Sequence, residues 1–117
     1  MNRGLTIAVQ LGNEEEKAAI LDAIGNTYNI LNKQDEAIRS YEDALEVKKR
    51  LGDKGGIAGT LNFIAQAQAT MGKSELALKN FQQALSIRRE MGDKQGQARN
   101  LADLGLFTRS WASTTKP

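Results

Sequence analysis

The chain has 117 residues, enough for one small domain with a continuous but shallow core. Its 16 basic and 14 acidic side chains leave a net charge of +2, too weak a field to point to nucleic acid or an anionic membrane. Cysteine and histidine are both absent, which excludes disulfides and thiolate metal sites and removes the commonest general base.

No apolar run approaches the ~20 residues that cross a bilayer. The opening MNRGLTIAVQLG lacks the apolar core and cleavage site of a secretory signal. A soluble cytoplasmic protein is therefore expected. Proline occurs only at the last position, so nothing interrupts a mainly helical chain.

Leu5, Ile7, Leu11 and Gly12 match a pattern that recurs later, so the chain is expected to begin partway through a repeating unit, with a helix over Asn2–Leu11. Gly12 suits a left-handed helix end, and Asn13 followed by Glu14, Glu15 and Glu16 predicts a capping box on the next helix. The three acids are read as helix-start electrostatics rather than a cation site. Leu21, Ile24, Gly25, Tyr28 and Leu31 then fall three and four apart, a helical stripe. Asn32-Lys33 makes a short turn into a second stripe through Ala37, Ile38, Tyr41, Ala44, Leu45 and Val47, closing at Leu51-Gly52. So short a turn forces the two helices antiparallel.

Forty residues on, the same hairpin returns. Identity is kept at Ala18/Ala58, Leu21/Leu61, Ile24/Ile64, Ala37/Ala77, Ala44/Ala84, Leu45/Leu85, Gly52/Gly92 and Asp53/Asp93, with Tyr41/Phe81 an aromatic match. Small residues at 25/65, 37/77 and 44/84 let one helix approach the other, and the aromatic fills the remaining gap. Two readings stand for Gly55, Gly56 and Gly59: a hinge, or a loosely packed helix start. A third unit begins at Asp93 with Ala98, Leu101, Leu104 and Gly105 and fades after one helix; Trp111 aligns with Leu31 and Met71 as a last core residue. The expected organisation is a single domain over 1–111, with units at 1–12 (partial), 13–52, 53–92 and 93–111 (partial), and a disordered tail at 112–117.

At Leu21, Ile24-Gly25, Tyr28, Ala37, Tyr41 and Ala44, and again at Leu61, Ile64-Ala65, Ala77, Phe81 and Ala84, the chain resembles the tetratricopeptide repeat. The longer period with a Gly-Asp-Lys junction is similar to that of Pins-type scaffolds and bacterial multi-repeat proteins. Gln68 at the place of Tyr28, and the lack of a closing proline, depart from the family pattern. The resemblance implies an all-α fold, a right-handed superhelix of antiparallel hairpins. About six helices are expected, as two full repeats and a half-repeat at each end.

It also implies a concave groove, lined by the first helix of each unit, that binds a peptide of a protein partner. The groove candidates are Asp22, Asn26 and Asn29 with Lys33 at the lip, then Asn62, Gln66 and Ala69 with Lys73, and finally Arg99 and Arg109. Asn and Gln offer donor and acceptor to an extended backbone. The cation set of a carboxylate clamp is not met, since Asp22 places a negative charge where that clamp wants a positive one. Lys48-Lys49-Arg50 and Arg88-Arg89 are read as cations complementing helix ends rather than as a nucleic-acid ridge. The Gly52–Gly56 stretch lacks the spacing of a phosphate loop, and no serine has a base to activate it.

The expectation is an adaptor without catalytic, cofactor or metal sites, and without nucleic-acid, membrane or small-molecule ligands. The alternative is a structural self-association module. Fewer than ~three full repeats are marginal, so the terminal half-units would pair between chains as a homodimer or a head-to-tail or swapped assembly.

Overall fold

The computed structural model describes residues 13–115. The helices are α1 Glu14–Ile30, α2 Gln34–Leu51, α3 Lys54–Thr70, α4 Ser74–Met91 and α5 Lys94–Thr115. The fold is all-α, with five helices where about six were expected. The remaining one, expected over Asn2–Leu11, falls outside the described residues. Helix α5 runs on to Thr115, four residues past the domain boundary expected from sequence.

Each helix packs on its neighbours in sequence, α1 on α2, α2 on α3, α3 on α4 and α4 on α5. The result is a stack of hairpins in which first helices (α1, α3, α5) alternate with second helices (α2, α4). The punctuation is local. Gly52 and Gly92 end the second helices at φ +68° and +69°, where a side chain would be strained. Within the hairpins, Gly72 and Asn32 hold the same left-handed place, at φ +80° and +67°. Asn13 sits at the start of α1 but its side chain caps nothing, contrary to the capping box expected there. The real caps are Asp53 and Asp93, which accept from Gly56 N at 3.0 Å and Gly96 N at 2.9 Å. A Cβ at Gly56 would collide with the Asp53 carboxylate and with the stem of Lys48. That glycine serves a close approach, not a hinge.

The four alanines of the second helices, Ala37, Ala44, Ala77 and Ala84, have no exposed surface. They admit Tyr41 and Phe81, each almost wholly buried, between the helices of a hairpin. Gly25 carries this furthest: a Cβ there would stand 2.5 Å from the Tyr41 ring.

The apolar stripes are not equally buried. Ile64 is 4% exposed, covered by Ala37 and Tyr41 of α2, while its equivalent Ile24 is 41% exposed. Leu31 at the end of α1, just past Ile30, and Ala98 and Leu101 on α5, also lie open. The sequence stripe placed all four in the core. The difference is positional: α3 is covered on both sides, and α1 and α5 on one side each among the described residues.

Candidate site on the first helices

The first helices are joined side by side by polar side chains at two junctions, one between α1 and α3 and one between α3 and α5. At the first, the Lys48 ammonium reaches from α2 to pair with the Asp22 carboxylate of α1. It also donates to Thr60 Oγ1 of α3 at 2.7 Å, and Thr60 Oγ1 lies 3.2 and 3.3 Å from the two Asp22 oxygens. Asp22 and Lys48 are only 14% and 12% exposed, so solvent screens the pair weakly.

The second junction uses the residues forty positions later: Asn62 for Asp22, Arg88 for Lys48 and Asn100 for Thr60. Asn62 donates to Asp103 Oδ2 at 2.9 Å and accepts from Asn100 Nδ2 at 3.2 Å. Gln66 donates to the same Asp103 oxygen at 3.4 Å. Arg88 is buried and donates from Nη1 to the Gly96 carbonyl at 3.0 Å. Its Nε, like Asn100 Oδ1, has no hydrogen-bond partner. No carboxylate pairs with Arg88 among the described residues.

The sequence candidates thus divide. Asp22, Asn62 and Gln66 are brought into these junctions and hold helices together, Asn62 from a buried position. Asn26 is exposed and its Oδ1 accepts the Tyr41 hydroxyl from α2. Burial, with the Asp22 charge beside it, pushes the Tyr41 phenol up to about 12. Asn29 and Ala69 are half-buried, and Lys33, Lys73, Arg99 and Arg109 are exposed. None of these last six joins the junction networks. A shallow cleft between α1 and α2, lined by Lys17, Leu21, Asp43, Glu46, Val47 and Arg50, is a separate feature that includes none of these candidates. Among the described residues no group of three or more carboxylates is placed to hold a metal ion. No described helix is long and apolar enough to cross a membrane.

Two family models described as Tetratricopeptide repeat match residues 18–53 and 58–91. The chain belongs to the tetratricopeptide repeat family. The two matches meet the structure at its two complete hairpins, α1–α2 and α3–α4. Comparison with curated proteins gave no match. Tetratricopeptide repeats generally mediate protein–protein interaction and are typically non-catalytic scaffolds.

Five residues that matter at the junctions escaped the sequence reading of this tetratricopeptide repeat chain: Lys48, Thr60, Arg88, Asn100 and Asp103. Lys48 and Arg88 were read as cations for helix ends. Both turn inward, while Lys49, Arg50 and Arg89 stay exposed. The signal was present in the repeat itself: polar residues at 60 and 100 recur in register on helix faces that are otherwise apolar.

Proposed function

We propose that the chain is an adaptor module that binds an extended peptide segment of a protein partner along a concave face lined by α1, α3 and α5, without chemistry. The observation that carries this reading is the side-by-side arrangement of the first helices, with amide and carboxylate side chains along one face. Asn26 supports it further. It is exposed, its oxygen is fixed by Tyr41, and its amide nitrogen donates to no described residue, so a donor of set orientation is left for a peptide carbonyl. Asn29 and Arg99 extend the row at either end.

Selection of displayed random peptides against the chain, followed by fluorescence anisotropy of the selected sequences, tests the reading. Asn26→Ala, Asn29→Ala and Arg99→Ala should each weaken binding, with a loss of roughly fivefold or more for Asn26. Selected peptides that bind all three variants as well as the parent would place the ligand elsewhere.

A second reading, self-association, is supported by the outer helices. Ile20 and Ile24 on α1 are 56% and 41% exposed, and Leu101 on α5 is 50% exposed. Pairing between chains would bury them. Light scattering that shows only monomer over a wide concentration range removes this reading.

A further inference from the structure

The second junction holds a guanidinium without its carboxylate. Arg88 is 8% exposed, its Nε is unpartnered, and its Nη1 is committed to a neutral carbonyl of Gly96. The acids around it are otherwise engaged. Asp93 caps α5 through Gly96 N, and Asp103 accepts from Asn62 and Gln66. A buried cation left without a counter-charge is costly, and at the first junction the equivalent Lys48 has Asp22 to offset that cost.

The guanidinium is not sealed in. Its Nη2 lies 3.7 Å from the point where a Gly59 side chain would begin, and Gly59 is itself part-exposed. Gly59 is the counterpart, forty residues apart on either side, of Ala19 and the groove candidate Arg99, both exposed. The missing side chain at 59 therefore leaves a gap on the first-helix face, with a guanidinium edge at its floor.

We propose that Arg88 is a binding point for a side-chain carboxylate, an Asp or Glu of the bound peptide, that enters over Gly59 and completes the second junction as Asp22 completes the first. This rests on the peptide-groove reading and names the partner's chemistry. Nη2 presents its N–H donors at the floor of the gap, and a guanidinium can grip a carboxylate in parallel hydrogen bonds, which a lysine at this place would not offer. Exposed Arg99 on α5 adds positive charge on the same side.

The test uses the peptides selected by the parent chain, each resynthesised with its acids changed to the matching amides. A shared Asp or Glu position is expected, and the amide peptide should bind at least about tenfold more weakly. Arg88→Gln should remove that discrimination, and Arg88→Lys should keep part of it. Because Arg88→Gln alters a buried position, Gly59→Asp gives an independent arm. It supplies the carboxylate from within the chain, where an added Cβ meets only ordinary contact. It should leave the helical spectrum intact, raise the melting temperature and abolish the preference for acidic peptides. Peptides that bind through Asn26 but discriminate acid from amide equally in the parent and in Gly59→Asp would overturn this inference alone. Failure to select any peptide would overturn the groove reading with it.

Discussion

The two junctions occupy the same place in the repeat and solve it with different chemistry. At the first, a carboxylate on α1 meets an ammonium from α2 and a hydroxyl on α3. At the second, two amides and a guanidinium stand at those positions, and the carboxylate has moved to Asp103 on α5. Position 103 corresponds to Phe63, whose ring stacks on Tyr41 with centroids 5.4 Å apart. On α5 the aromatic contact to Phe81 comes instead from Phe107, one turn further along, at 5.5 Å. Moving the ring by a turn releases position 103 for an acid. The pairing of helices thus depends on small residues and aromatics, while the polar contacts between first helices are free to change.

The sharpest break in the comparison is Asp22→Asn, which gives the first junction the amide of the second. Lys48 then lacks its carboxylate, and the expected cost is roughly 3 kcal/mol in urea unfolding. Asn62→Asp is the reverse exchange. It sets two carboxylates against each other, because Asn62 donates to Asp103, while the unpaired Arg88 guanidinium offsets part of that repulsion, so the net cost should be small, roughly 1 kcal/mol. Adding Asp103→Asn should recover most of that loss. A double-variant cost equal to the sum of the two single-variant costs would mean that the two residues act independently.

Next in size is Gly25→Ala, which makes α1 resemble α3 at Ala65. The ring of Tyr41 stands where the methyl would go, so overpacking should cost ~1–3 kcal/mol. Better helix propensity returns up to ~1 kcal/mol of it. The hydroxyl of Tyr41 ties its ring to Asn26, whereas Phe81 carries no such tether. In a Tyr41→Phe background the same Gly25→Ala change should therefore cost measurably less, a non-additivity that a double-mutant cycle reads directly.

Much of this architecture was legible in the sequence because packing constrains residue size at every turn of a repeat. Ala37, Ala44, Tyr41 and their counterparts forty residues on could be placed from spacing alone, and so could the hairpin ends at Gly52 and Gly92. The junctions were harder to read. Lys48 and Arg88 each open a basic run, followed by Lys49-Arg50 and by Arg89, and nothing in a helical period says which cation of a run turns inward. The Lys48 partners Asp22 and Thr60 stand 26 and 12 residues away, and only the stacking of hairpins brings them together. Ile24 and Leu101 were misplaced for a related reason. Periodicity marks the face of a helix that can be covered, and the covering helix decides whether it is.

The smallest effect at neutral pH separates the two aromatics themselves. Tyr41→Phe copies the Phe81 of the second hairpin, so the ring and its packing are kept and the loss is one hydrogen bond to the exposed Asn26, about 1 kcal/mol or less. The difference should grow in alkali. Burial and the Asp22 charge raise the Tyr41 pKa from 10.0 to about 12 in the folded chain. Between those values the unfolded chain loses the phenolic proton while the folded chain keeps it. The unfolded state then binds fewer protons, so stability falls as pH rises. Below pH 10 the contribution is complete and constant, and through 12 it is lost. Urea midpoints from pH 8 to 11.5 should thus decline faster for the parent than for Tyr41→Phe, the two curves converging as the solution becomes more basic. Parallel curves would mean that the phenol titrates alike in both states and that the burial of Tyr41 sets no alkaline limit on the first hairpin.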